Sequence, residues 1–215
     1  MSQLVPFQFS KASCVAVGSF NIYIIQPAWL TRVGIFPPDT PIVIEANMAR
    51  PGFRLSSPAR PTVWFVAPGK LAIESEQRGA DCGRDMAAVL NQLPETPVYG
   101  LGNNIFFRAS RSEVESIPAL DGCADLVVEP ENYRKTKHAF ATTLEHEGRS
   151  FSLQLTVGTE FVELTGNAHL QLKNDETARA AAETAERFEA DTRTLTELLV
   201  ATFRLKIEDQ NVTTH

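Results

Sequence analysis

Three cysteines, four histidines and a scatter of arginines are the residues of this 215-residue chain whose chemistry could define a site. Cys14, Cys82 and Cys123 are too few and too dispersed for a disulfide framework, and no CxxC pair starts a zinc site. Small buried thiols are the plain reading of all three. A nucleophilic Cys–His pair stays open, because such partners meet in space and need not be close in sequence. Cys82 is the best placed, at a predicted helix start whose amides lower a thiol pKa, although Asp81 and Asp85 oppose that; Cys14 is the other candidate. His138 and His146 stand on one face of a predicted strand but about 26 Å apart at strand rise, too far to share a metal. His169 and His215 add no HExxH or HxH spacing, and no paired-carboxylate or GxSxG signature occurs. No catalytic residue, metal or cofactor is expected from these patterns.

Arg50, Arg54 and Arg60 gather around Phe53 in a proline-rich stretch, and Arg134, Lys135, Lys137 and His138 gather further on. Either group could meet nucleic-acid phosphates, with Phe53 available for stacking. In an acidic chain, solvated loops are the simpler account of both. Gly100-Leu-Gly-Asn-Asn has the outline of a phosphate loop, but such loops lead into a helix, and Ile105-Phe106-Phe107 favours a strand. A bulge or a close backbone contact is expected there instead. Most aromatics of the first half serve a core. Trp29, on a short amphipathic helix, and Trp64, on a proline-flanked edge strand, are the expected anchors of a protein-binding surface.

The elements that must position these residues follow from periodicity. Ala12–Ile25 is apolar and β-branched and predicts a strand with a bulge or bend at Gly18. Pro27 opens a short helix that Gly34 ends, and 41–46 predicts a second strand. Prolines 51, 58, 61 and 68 confine the neighbouring strands to edges or short pieces. Segments 62–67 and 70–76 predict a hairpin around a type II turn at Pro68-Gly69, with Leu71 and Ile73 on one face. Asp81 caps a predicted helix running to Leu93, with Met86, Val89, Leu90 and Leu93 as its apolar face. The strand over 98–109 is expected to break at its glycines and asparagines. The polar stretch 129–137 reads as a linker. Segments 139–146 and 150–157 form two arms around Glu147-Gly148, and 160–165 is a third strand that 169–172 extends.

From Lys173 to Ile207 the pattern predicts one long amphipathic helix of about 45 Å. Its stripe is Ala181, Ala185, Phe188, Thr192, Leu195, Leu199 and Thr202, with Asp191 mainly outside it. The stripe is small in its first half and strongly apolar only from Leu195, so the helix is expected to lie across its own sheet. Leu198, Leu199 and Phe203 are the expected contact with a second subunit or another protein. The fold class expected is α+β, with antiparallel sheet, short helices in the first half and the long C-terminal helix packed on the sheet. The parts are 1–109, an irregular segment 110–137, and 138–215, or all of it one continuous domain.

Charge and composition limit the classes of function. The net charge of -6 divides into +3 over residues 1–80 and -9 over residues 81–215. Such asymmetry orients a molecule toward a charged partner and says nothing of fold. No apolar run approaches the length of a membrane span, and the first ten residues lack the pattern of a secretory signal. A cytoplasmic protein with no membrane contact is expected.

Two stretches carry a resemblance to known proteins. Ser19-Phe-Asn-Ile-Tyr-Ile-Ile-Gln-Pro-Ala-Trp-Leu resembles the opening of a group of uncharacterised, sporadically distributed bacterial proteins, in which a Phe-Asn strand runs into a Pro-x-Trp-Leu helix. Thr96-Pro-Val-Tyr-Gly-Leu-Gly-Asn-Asn-Ile-Phe-Phe is similar to their second hallmark, a TPV-x-x-x-G-x-N strand. The resemblance covers about a quarter of the chain. It implies accessory genes such as antiphage defence, and no reaction. Phe20, Asn21, Trp29, Gly102 and Asn103 read as structural within it. The function expected is a protein-interaction or assembly component; nucleic-acid binding through Arg50, Phe53, Arg54 and Arg60, and thiol chemistry, are the alternatives.

Overall fold

The strand-forming segments gather in one sheet, and the helical segments cover one of its faces. The computed structural model describes residues 6–46, 51–114, 138–172 and 178–207. The strands are β1 (Pro6–Gly18), β2 (Val43–Ala46), β3 (Phe53–Ser56), β4 (Val63–Ala67), β5 (Lys70–Ser75), β6 (Val98–Ser110), β7 (His138–His146), β8 (Arg149–Val157), β9 (Phe161–Gln171) and β10 (Lys206–Ile207). The helices are α1 (Pro27–Arg32), α2 (Cys82–Gln92), α3 (Ala178–Ala185) and α4 (Phe188–Phe203). The sheet order is β2-β3-β4-β5-β1-β6-β9-β8-β7, antiparallel throughout, and β10 adds a parallel pairing to the start of β1. The architecture is α+β, and the sheet runs unbroken from strands of the first half into strands of the second through the β6–β9 ladder.

Side-chain alternation sorts the two faces. Ala12, Cys14 and Ala16 of β1, Leu71 and Ile73 of β5, and Trp64 and Val66 of β4 join α1, α2 and α3 in one buried cluster. Leu153, Leu155, Val162 and Leu164 join Leu195, Leu199 and Phe203 of α4 in a second. A register shift between Phe9 and Lys11 lets Phe7, from before the bulge, reach the same helical side as Ala12 beyond it.

Several elements follow the sequence pattern. Pro27 opens α1 and Gly34, at φ 76°, stands just past its end. The Asp81 carboxylate caps α2 by accepting from the Arg84 amide at 2.8 Å. Others differ. The first strand ends at Gly18, where an added Cβ would meet the Pro97 carbonyl at 2.4 Å. The β4–β5 hairpin closes on Ala67 and Lys70, but Gly69 lacks the positive φ of a type II turn. β6 is continuous through its glycines and asparagines, each paired with β1 and β9. The segment 129–137 lies outside the described residues.

Residues 173–177 of the helix expected over 173–207 lie outside the described residues; from 178 on it is found as α3 and α4 in succession, separated by a turn at Glu186-Arg187, and the chain then returns as β10. The α3 helix packs its alanines on α2, whereas α4 crosses β9, β6 and β8. At the junction Gly83 of α2 comes so close that a Cβ would sit 2.1 Å from the Ala185 carbonyl and 2.2 Å from Phe188 Cβ. Gly83→Ala is therefore expected to destabilise the fold by about 3 kcal/mol through overpacking, read as a lower midpoint in urea at unchanged slope.

Candidate functional site

The residues singled out in the sequence end in different surroundings. Cys14 and Cys82 are both buried and free. Burial, with the carboxylates of Asp85 and Asp81 adding to it, pushes the Cys82 thiol up to about 12. Burial raises Cys14 as well, with Cys82 and Asp191 adding to it. The amides at the start of α2 do not offset this desolvation, so neither thiol is an activated nucleophile. Cys123 lies outside the described residues.

Of the arginine group, the described members Arg54 and Arg60 stand in different surroundings. Arg50 lies outside the described residues. Arg54 is paired with Glu45 at 2.9 Å on the open face of the sheet and lies over Phe65. Phe53 packs against the first core cluster. Arg60 is half-buried: it pairs with Asp85, donates to the Ile35 carbonyl and covers the Phe36 ring. Thr62 donates to Asp85 at 3.0 Å and accepts from the Trp64 indole at 3.2 Å. Ile35, Arg60, Thr62 and Asp85 line a cleft of about 640 Å³ between α2 and the loop after α1, together with the exposed Asp81, Arg84 and Asn91. Burial raises the Asp85 carboxyl while Arg60 and Thr62 lower it. Arg60 thus serves to orient Asp85 and tie two loops together.

The expected protein-binding residues divide in the same way. Trp64 is 0 % exposed and Leu199 and Phe203 are buried, so these three pack the core and form no docking surface. Their burial follows from α4 lying on the sheet and β4 lying inside it. Trp29 and Leu198 remain half-buried at the margins of the two clusters.

A buried polar centre was not legible as a site. Asp191, 2 % exposed, takes both guanidinium nitrogens Nη1 and Nη2 of Arg149, and Asn103 Nδ2 donates to it at 2.7 Å. Asn103 Oδ1 and Arg149 Nε are left without a hydrogen-bond partner. The stripe of α4 runs through Phe188, Asp191, Leu195, Leu199 and Phe203, so Asp191 occupies the inward place assigned to Thr192. The available signal was an acid at helical spacing within an apolar stripe, and an arginine in phase with Phe151, Leu153 and Leu155. By the spacing of the TPV-x-x-x-G-x-N pattern, its last asparagine is Asn104, on the other face. Asn104 accepts from Asn167 at 2.6 Å and donates to Ser13 Oγ at 3.2 Å, which links three strands. Gly102 leaves room for Asn167, whose Nδ2 would lie 2.9 Å from an added Cβ, and Gly100 does so for His169. The glycines therefore serve close approach within a ladder.

The open face is polar and largely self-satisfied. Lys11 pairs with Glu74 at 3.2 Å over Phe106, and Arg108 pairs with Glu163 at 2.6 Å over Phe161, as Arg54 does with Glu45 over Phe65. Cations that cover the rings and are themselves paired leave little for a stacking platform. The described residues contain no helix long and apolar enough to cross a membrane.

The two sheet edges are unlike. β2 is four residues long and carries the Glu45–Arg54 pair. β7 is nine residues long and pairs with β8 without a register shift. Between His138 and Glu145 it holds Ala-Phe-Ala-Thr-Thr-Leu, with neither charge nor proline nor bulge to guard it. Glu147 and Gly148, at φ 51° and 72°, close a two-residue turn on the His146–Arg149 pair. That turn makes His146 a hydrogen-bonded partner of Arg149 and, by alternation, aims the N–H and C=O of Ala139, Ala141, Thr143 and Glu145 away from β8. No known family model matches the chain, and no curated protein does either.

Removing the Asp191 carboxylate strands a buried guanidinium. Asp191→Ala is expected to cost about 3–5 kcal/mol, more than Asp191→Asn, in equilibrium denaturation. The thiols give a chemical test. Cys14 and Cys82 should resist iodoacetamide in the folded chain and react once it is unfolded, as read by mass spectrometry. The unfolded chain sheds thiol protons above about pH 9 while the folded chain keeps them, so stability should fall as pH rises from there toward 12.

Proposed function

We propose that this protein is an assembly component that receives an extended strand of a protein partner at the β7 edge of its sheet. One observation carries the reading: a nine-residue edge strand, in register along its whole length, presents alternate backbone groups with no proline and, between His138 and Glu145, no charge to deter pairing. In this mode the backbone supplies affinity and the side chains of alternate residues supply selectivity. Leu144, 38 % exposed on the helical side of that edge, gives an incoming strand an apolar contact. The resemblance to sporadically distributed bacterial proteins extends the proposal to an accessory subunit of a bacterial defence system.

The test uses an unrelated ligand, so that it reports on the edge alone. A fluorescent, extended, Thr- and Val-rich nine-residue peptide should bind the dilute full-length chain, read by anisotropy. Thr143→Pro removes an outward N–H and the Thr143–Ser152 hydroxyl contact at 3.4 Å but leaves the β7–β8 backbone hydrogen bonds in place, and it should weaken that binding at least roughly tenfold while circular dichroism stays native. Equal binding by both chains would overturn the reading.

A further inference from the structure

The sequence of β7 is complementary to itself in one antiparallel register. We infer that the strand added at β7 is the β7 of a second copy of this chain, related by a two-fold axis at Thr142. This rests on the edge reading above and names the partner.

The register follows from which backbone groups face outward. An antiparallel partner must set outward residues opposite outward residues, and these are Ala139, Ala141, Thr143 and Glu145. Pairing about Thr142 places Ala139 opposite Glu145 of the second copy and Ala141 opposite Thr143, with the mirror pairs repeating them. All four outward residues of each copy are then hydrogen-bonded. On the helical side, Phe140 comes opposite Leu144 of the second copy and Thr142 opposite Thr142, which are favoured cross-strand pairs. Glu145 meets alanine and never its own image, so the register sets no like charges against each other along 139–145. A shift of two residues either way shortens the ladder and sets Phe140 opposite Thr142 or His146. Of these three registers, the Thr142-centred one alone sets an apolar residue directly opposite the partly exposed Leu144. On this side Phe140 already packs on the second core cluster, so the pairing continues an existing apolar layer across the two-fold.

The register predicts a charge-swap result. The full-length chain should be a dimer by sedimentation equilibrium. Ala141→Glu with Thr143→Glu sets like charges opposite at two equivalent places and should raise the dimer dissociation constant roughly tenfold or more. Ala141→Lys with Thr143→Glu sets opposite charges there and should restore dimerisation to within a few-fold of the parent, whereas a register centred on Ala141 would oppose lysine to lysine. Amide exchange at Ala139, Ala141, Thr143 and Glu145 should be slow in the dimer and fast in the double-glutamate chain. A dimer indifferent to both double variants would overturn the inference. A monomer with fast exchange at those amides would also overturn it and leave the edge reading standing. A monomer in which they are already slow would mean that the chain's own residues cover the edge, and would overturn both.

Discussion

The Asp191 carboxylate sits where α4, β6 and β8 meet, and the arrangement of the helical side depends on its being neutralised there. A carboxylate and a guanidinium removed from water each carry a desolvation cost of several kcal/mol, about what their mutual attraction returns when the geometry is bidentate. Here the geometry is bidentate, and the Asn103 amide adds a further donor. The cost of misplacement is what matters. If α4 slid by one turn along the sheet, Asp191 would face Leu or Phe and Arg149 would be left charged in an apolar layer. One turn further along, Leu195 lies against Gly166, whose missing side chain sets how deeply the helix seats. A polar lock and a glycine seat together define a single position for α4.

That lock has consequences for the rest of the surface. With α4 held against the sheet, Leu199 and Phe203 become core, while Leu198 stays half-buried beside them. The open face is occupied by its own ion pairs and rings. Polar ladders such as Ser13–Asn104–Asn167 further stiffen the three central strands. At the outer end of the strand order, a two-residue turn aims the alternate backbone groups of β7 away from β8.

Much of the local structure was legible because it obeys nearest-neighbour rules. Asp81 before Cys82, Pro27 before a short amphipathic run, and Glu147-Gly148 between two alternating arms each act within a few residues, and each is found where it was expected. The break at Glu186-Arg187 was not legible, since the stripe of small and apolar residues continues in phase across it and no proline or glycine marks it. The reason lies in space: α3 rests on α2 at Gly83, while α4 must rest on the sheet. Trp64 was read as surface because prolines flank its strand. It is buried because β3 and β5 lie on either side of it and Phe36 packs over its ring at 5.3 Å.

By itself the sequence determined most of the strand segments in outline, the Asp81 cap, the tight turn before β8 and the α+β class with its antiparallel pairing, which rest mainly on patterns within a few residues of the chain. Only the tertiary structure decided that β1 sits between β5 and β6, that Asp191 answers Arg149 across 42 residues, and that β7 is left at an edge. Strand order and burial are properties of which distant surfaces meet. The same alternation in β7 would have served equally well inside the sheet, and its place at the end of the order is set by which distant segments pair.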